Sequence, residues 1–260
     1  MLTVRADGRP DAFGRPRAAR RLAGLGLASL LLLGTAATPA SATSPASAAG
    51  TGYQLDLGKR SDFVAQTNFV QCVGASMQMM LNMIQPGADR SAATQLKLQK
   101  LARAWSGARP DGIERQGASV RGWAAGLNLL GAGPYRLVGT ITLDEALLAA
   151  ARAMRKSGKP VGLLMWRGRH AWVMSGFRAT GDPLVPGSRV TSVLVEDPLY
   201  PHGSSVWGPS PAPGAALTVD ELGRQFVPRR TSGRWGLSYL GGKYVLVIPD
   251  ELDLRKLRQV

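Results

Sequence analysis

The sequence of 260 residues predicts an α+β domain in which N-terminal helices pack on an antiparallel β-sheet. Segments with helical spacing of apolar residues fill the chain from residue 72 to residue 156. Short, β-prone apolar runs separated by Gly, Pro and Asp follow from residue 160. Because the helices precede the strands instead of alternating with them, an antiparallel sheet is favoured over a parallel one.

The elements are predicted in chain order from their spacing and their end signals. Residues 53–57 alternate and predict a short strand, and helices are expected over 72–84, 91–105, 116–130 and 143–156. The last helix begins with a capping box formed by Thr142 and Glu145, and Gly158 ends it. Strands are expected over 160–166, 170–177, 190–196 and 244–248, with loops rich in Gly, Pro and Ser over 181–188 and 201–215.

The first 42 residues have the order of a secretory signal peptide. An Arg-rich segment ends at residue 21, an apolar stretch covers residues 22–37, and Ala40-Ser41-Ala42 offers a cleavage site. The stretch is shorter than the about 20 residues of a membrane-spanning helix. We expect a signal peptide over 1–42, a disordered linker over 43–52 and one folded domain over 53–260, secreted or extracytoplasmic and without a stable membrane span after cleavage. An uncleaved anchor or a wrongly assigned start codon are the alternatives.

Composition and charge exclude several classes of protein. A single Cys and two His exclude a disulfide framework, a Cys-rich zinc site and most multi-histidine metal sites. No Gly-rich phosphate loop has the needed spacing, so no cofactor and no metal are expected. The net charge of +15 falls to +11 over residues 43–260 and is spread along the chain. This charge predicts a loose attraction to anionic cell-envelope polymers, whereas no motif supports nucleic-acid binding.

Three residues at the ends of predicted elements are candidates for catalysis. Cys72 begins a helix, whose N-terminus lowers the pKa of a thiol, although a lone Cys is also compatible with an inert buried residue or a link to another chain. His170 begins a strand and could exchange a proton with the thiol, or be structural. Asp197 ends the next strand and would orient the imidazole if the two strands pair, or simply end its strand.

A glutamine upstream of the thiol could complete such a site. Gln66 stands six residues before Cys72 and can donate a side-chain N–H to an oxyanion, together with the Cys72 backbone N–H. Gln71 is the rival donor. A solvated surface position is the alternative for both.

These segments resemble one family of cysteine peptidases. The stretch from Gln66 to Ser76 resembles the Q-x5-C-G-P-A start of the papain-like double-glycine leader peptidases, family thirty-nine of the cysteine peptidases, known from bacteriocin processing. The segments around His170 and Asp197 resemble the family's G-x-H-W-V-V-V-x-G-Y and V-x-D-P motifs. The resemblance covers about residues 53–200. It implies a papain-like fold, a triad of Cys72, His170 and Asp197, and Gln66 in the oxyanion hole.

The departures from the family pattern change what is implied. Val-Gly-Ala follows Cys72 where the family has Gly-Pro-Ala, and 27 residues separate His170 from Asp197. The transporter helices and ATPase that accompany the bacteriocin exporters are absent from the sequence, so leader cleavage is not implied. We expect an exported, free-standing thiol hydrolase that cleaves a peptide or amide bond through an acyl-enzyme, with a peptide or protein substrate. The alternative is a catalytically silent papain-like domain that binds a peptide or a cell-wall component.

Overall fold

Five α-helices and nine strands form the described part of this computed structural model, which covers residues 52–85, 87–107, 117–231 and 234–250. The predicted signal peptide over 1–42 and nearly all of the predicted linker over 43–52 lie outside the described residues, as do the residues after Asp250. Every described residue belongs to one compact unit, residues 47–260. Within the described ranges, no helix is long and apolar enough to cross a membrane.

The helices are α1 Cys72–Ile84, α2 Ala92–Ala104, α3 Val120–Leu129, α4 Leu143–Ser157 and α5 Val219–Gly223. The strands are β1 Tyr53–Asp56, β2 Tyr135–Thr140, β3 Val161–Met165, β4 His170–Ala179, β5 Val190–Glu196, β6 Gly203–Ser204, β7 Gly208–Pro209, β8 Ala215–Thr218 and β9 Tyr244–Pro249. The chain therefore has the α+β character that the sequence predicts.

Local sequence signals account for the ends of helix α4. The Thr142 hydroxyl accepts a hydrogen bond from the Glu145 N–H, and the Glu145 carboxylate accepts one from the Thr142 N–H, which confirms the predicted capping box. Gly158 ends the helix with a φ of 64°, a conformation that glycine adopts without a steric cost. These caps satisfy backbone groups that a helix end otherwise leaves unpaired.

Seven strands form one antiparallel sheet, and strand β4 has neighbours on both of its edges. The order is β2-β9-β3-β4-β5-β8, and β1 also pairs with β4. Strand β3 pairs with residues 170–174 of β4, and β1 pairs with residues 176–179, so the two share one edge of β4. Strand β5 occupies the other edge, in antiparallel register with Val173 opposite Glu196.

Helices cover both faces of the sheet, because the strand residues alternate between two cores. On β4, Ala171 and Val173 pack with helices α1, α2 and α3, whereas Trp172 and Met174 pack with helix α4. Burial of each large apolar side chain stabilises the fold by roughly 1.5–3 kcal/mol. The two helix layers hold β4 from both sides, so the residue at its beginning is fixed in space.

Four strands were not predicted from the sequence: the two-residue strands β6 and β7, which lie in the segment predicted as a loop over 201–215, and two strands of the large sheet. Strand β2, Tyr135–Thr140, lies at one edge of the sheet, and all but its first residue are partly or fully exposed. Strand β8, Ala215–Thr218, begins at the end of a segment predicted as loop, and it forms the opposite edge. Edge strands carry a weak hydrophobic pattern, because their side chains are partly in solvent and only one backbone edge is paired. Helix α3 also begins four residues later than predicted.

Candidate active site

Helix α1 holds the half-buried, free thiol of Cys72 at its first turn. The Ser76 hydroxyl donates to the backbone carbonyl of Ala171 on β4 over 3.3 Å. Helix α1 also packs closely on helix α2 at Gly74. A Cβ atom on residue 74 would lie 2.8 Å from the Gln95 carbonyl oxygen, so only glycine fits there. The N-terminus of α1 is therefore pinned against the beginning of β4.

His170 and Asp197 meet at the end of the sheet where β4 begins and β5 ends. His170 Nε2 lies 2.6 Å from Asp197 Oδ1. Both side chains are buried, with 4% and 0% of their surfaces exposed. The Leu199 N–H donates to the same Asp197 oxygen over 2.9 Å and so orients the carboxylate. A buried carboxylate at this distance fixes the imidazole ring and favours its protonated form.

Cys72 is the second group that acts on the His170 ring. Burial opposes protonation of the ring, but hydrogen bonds to Asp197 and Cys72, together with their negative charges, outweigh burial and raise the pKa of His170 to about 9. Because Nε2 is engaged by Asp197, Nδ1 is the nitrogen that remains for the thiol. The arrangement favours an imidazolium at neutral pH.

Gln66 lies in the loop before α1 and is tied to the Asp197 side of the site. Its backbone N–H donates to the Pro198 carbonyl over 2.7 Å. Its side-chain Nε2 donates to the Asn68 carbonyl over 2.8 Å, and its Oε1 is buried with no hydrogen-bond partner among the described residues. An amide nitrogen carries two protons, so one donor is left for a substrate oxygen. The role of Gln66 in an oxyanion hole stays a prediction.

The rival glutamine is engaged within the same loop. Gln71 is buried, and its Oε1 accepts a 2.6 Å hydrogen bond from the Thr67 hydroxyl. The structure thus brings Cys72, His170 and Asp197 together in one cluster, with both glutamines in the loop that leads to the thiol.

Trp166 covers the catalytic candidate His170 in a way that the sequence does not reveal. The two rings stack with centroids 4.1 Å apart and planes 23° apart. Gln225 holds Trp166 twice, since its carbonyl accepts from the Trp166 N–H and its side-chain Oε1 accepts from the indole N–H over 2.8 Å. Trp166 has a φ of 55°, a conformation that costs a non-glycine residue roughly 1–2 kcal/mol. The surrounding contacts therefore enforce a strained turn that shields the imidazole from water.

Glu196 is a second buried carboxyl group, one residue before Asp197. It accepts hydrogen bonds from the Ser175 hydroxyl over 3.3 Å and the Gly214 N–H over 3.1 Å. Burial is the main cause that raises the pKa of Glu196 to about 7. Glu196 lines a cavity of about 720 Å³, whose wall also includes Asp56. Neither Cys72 nor His170 lines this cavity, so the cavity beside Glu196 is distinct from the cluster of Cys72, His170 and Asp197.

No group of three or more His, Cys, Asp or Glu side chains in the described part of the chain could hold a metal ion. The cluster of Cys72, His170 and Asp197 contains only the groups of nucleophilic and acid–base chemistry. The fold and this cluster define an α+β protein with a buried His–Asp pair beside a helix-terminal thiol.

Comparisons with known proteins add little to this description. No protein-family model matches the chain, and no curated protein matches it. The chain is similar to a solved structure named "putative C39-like peptidase" from Bacillus anthracis, with a TM-score of 0.37 and 14% identity, over 73% of this chain and 94% of that chain. A similarity of this extent carries no argument about the activity of this protein.

Proposed function

We propose that this protein is an exported papain-like thiol hydrolase that cleaves a peptide or amide bond through Cys72, His170 and Asp197. The observation that carries the proposal is the position of the His170 ring. Asp197 Oδ1 lies 2.6 Å from its Nε2, and Cys72 is near enough to the ring to contribute to its raised pKa. Nucleophilic catalysis requires this order, in which a nucleophile contacts a base that a third group orients.

The first half of the proposed reaction forms an acyl-enzyme. His170 Nδ1 takes the thiol proton, and the Cys72 thiolate attacks the carbonyl carbon of the substrate. The Cys72 backbone N–H and the Gln66 amide would stabilise the negative oxygen that develops. His170 then gives its proton to the leaving amine, the bond between carbon and nitrogen breaks, and a thioester with Cys72 remains.

The second half releases the acyl group. His170, again neutral, takes a proton from water, and the resulting hydroxide attacks the thioester. The carboxylic acid product leaves, and His170 returns the proton to the Cys72 sulfur. Asp197 stays ionised throughout, keeps Nε2 protonated and stabilises the imidazolium. If an amine instead of water accepted the acyl group, the same residues would perform a transfer reaction.

The export part of the proposal rests on the Arg-rich, apolar and small-residue order of residues 1–42. An exported hydrolase would meet peptides or proteins outside the cytoplasm. The positive charge of residues 43–260 would hold it loosely near anionic polymers of the cell envelope.

A mixed peptide library analysed by mass spectrometry tests the proposal. The wild type should produce defined fragments, and a peptidyl acyloxymethyl ketone should label it at Cys72. Cys72→Ala should produce neither fragments nor adduct. His170→Ala should lose cleavage as well, because the thiol then has no base.

The second histidine of the chain provides the matched control. His202 is exposed in the loop before β6, so His202→Ala should cleave like the wild type. Absence of both fragments and adduct in the folded wild type would contradict the proposal. It would favour a catalytically silent papain-like domain that binds a peptide or a cell-wall component.

A further inference from the structure

A cavity of about 340 Å³ lies at the turn that directly precedes His170, although neither Cys72 nor His170 lines it. The turn between β3 and β4, the beginning of α3 and the loop before β9 form its wall. Arg169 lines the cavity and directly precedes His170, and Leu164 lines it and pairs with Ala171 across the two strands. Leu164 and Cys72 also pack at the margin of the same hydrophobic core. The cavity therefore lies on the side of the sheet where the thiol is found.

The wall of this cavity is positively charged. Arg167, Arg169 and Arg230 line it with exposed side chains. Arg229 also lines it but is buried, and its Nη1 donates to the Leu237 carbonyl over 2.9 Å, so it supports the wall. Among the residues that the structure describes, no Asp or Glu lines this cavity.

The backbone that carries these arginines is fixed. Trp166 and Arg167 have φ values of 55° and 57°, a conformation that persists only where the surrounding structure enforces it. The Arg230 N–H donates to the Arg167 carbonyl over 3.2 Å, and the Arg169 N–H donates to the Met165 carbonyl over 3.0 Å. The first bond joins the turn to the loop opposite, and the second closes the turn itself, so the backbone that carries the arginines is held in place. Such strained positions are concentrated at functional sites.

The chemistry of the wall selects an anionic ligand, and a peptide substrate supplies its anions as carboxylates. A guanidinium presents a planar fork of donors that matches a carboxylate, and hydrogen bonds between the two are stronger than those between neutral groups. A volume of about 340 Å³ is at the lower end of ligand pockets and admits a side chain or a chain end, not a large polymer.

We propose that this cavity, named here the arginine subsite, binds a carboxylate of the peptide substrate, and that the enzyme therefore prefers acidic peptides. The carboxylate can belong to an Asp or Glu side chain or to the C-terminus of the peptide. The inference rests on the proposed function, because it interprets the cavity as part of the substrate site. The three exposed arginines of the wall, Arg167, Arg169 and Arg230, are the binding residues.

Binding to the inactive Cys72→Ala protein tests the subsite without any need for catalysis. Three octapeptides of Gly and Ala are compared by calorimetry. The first carries two central Glu and capped ends, the second two central Gln and capped ends, and the third two central Gln and a free C-terminal carboxylate. At least one carboxylate peptide should bind about tenfold more tightly than the neutral one, because charge-assisted hydrogen bonds are stronger than neutral ones. High salt should reduce this preference.

Two sets of variants separate the subsite from the general charge of the protein. Replacement of Arg167, Arg169 and Arg230 together with Gln should abolish the preference for the carboxylate peptide. Arg178→Gln removes an exposed arginine near the opposite end of β4 and should leave the preference unchanged. Equal binding of all three peptides, or a preference that survives loss of all three subsite arginines, would overturn the inference.

The outcome for the subsite can be distinguished from that for the proposed function. Peptide cleavage by the wild type without any preference for acidic peptides would contradict the arginine subsite alone. An arginine-dependent preference in binding, with no cleavage of any peptide by the wild type, would contradict the hydrolase and leave a binding site for acidic peptides.

Discussion

Replacement of Asp197 with asparagine should remove most of the pH dependence that His170 confers on stability. The substitution keeps an oxygen that can accept the Nε2–H hydrogen bond but removes the negative charge, which lies 2.6 Å from the ring nitrogen in the wild type. Burial opposes protonation of the ring, so without this charge the pKa of His170 should fall well below 9, with only the interaction with Cys72 left to raise it.

The size of the effect follows from the two protonation equilibria. In the unfolded chain a histidine has a pKa of about 6.5, and in the folded protein that of His170 is about 9. Each unit of difference between the folded and the unfolded pKa corresponds to about 1.4 kcal/mol. The protonated ring therefore contributes about 3 kcal/mol to the free energy of unfolding. This contribution is fully present below the unfolded pKa and is lost as the pH rises through the folded pKa.

Urea unfolding followed by tryptophan fluorescence measures the difference. Between about pH 6.5 and pH 9.5 the wild type should lose more unfolding free energy than Asp197→Asn does, by up to about 3 kcal/mol. Other titrating groups, such as Glu196, are present in both proteins. Their contributions to the change in unfolding free energy cancel when the two proteins are compared. An equal loss in the two proteins would refute the reasoning, since Asp197 would then not control the charge of His170.

Three further predictions follow from named contacts. The pKa of Glu196 is raised by burial from 4.5 to about 7, so the wild type should lose about 2–3 kcal/mol of unfolding free energy as the pH rises through this window, whereas Glu196→Gln should not. Trp166→Leu loses the stack on the imidazole and the hydrogen bond to Gln225, and should lower the unfolding free energy by about 2–4 kcal/mol in urea titrations. Gln66→Ala should lower kcat by about a hundredfold and leave the alkylation rate of Cys72 unchanged. Gln71→Ala should have a small effect on kcat. A large loss of kcat in Gln71→Ala and a small one in Gln66→Ala would assign the oxyanion donor to Gln71.

The core of the site could be anticipated from the ends of its elements. A cysteine at a helix start, a histidine at a strand start and an aspartate at the end of the next strand converge if those strands pair in an antiparallel sheet, and β4 and β5 do pair in this way. The spacing of apolar residues was sufficient for this, because β4 and β5 are largely buried and carry a strong hydrophobic pattern.

The surroundings of the site depend on features that the sequence does not encode locally. Trp166 stacks on His170 only because a turn with positive φ values turns the ring back over β4, and neither Trp nor Arg signals such a turn. The buried state of Glu196 depends on Gly214, which is eighteen residues away and approaches through the β5–β8 pairing. Contacts of this kind come from tertiary packing, which overrides local preference.

The pH dependence of Cys72 alkylation tests the central claim most directly, because Cys72 is the only thiol of the chain. If His170 activates Cys72, the wild type should be alkylated rapidly well below the free-thiol pKa of about 8.5, and His202→Ala should behave in the same way. His170→Ala should then react only as an ordinary thiol does, with a rate that rises near pH 8.5. Ordinary thiol titration in the wild type as well as in His170→Ala would contradict the account, since no activated pair would exist.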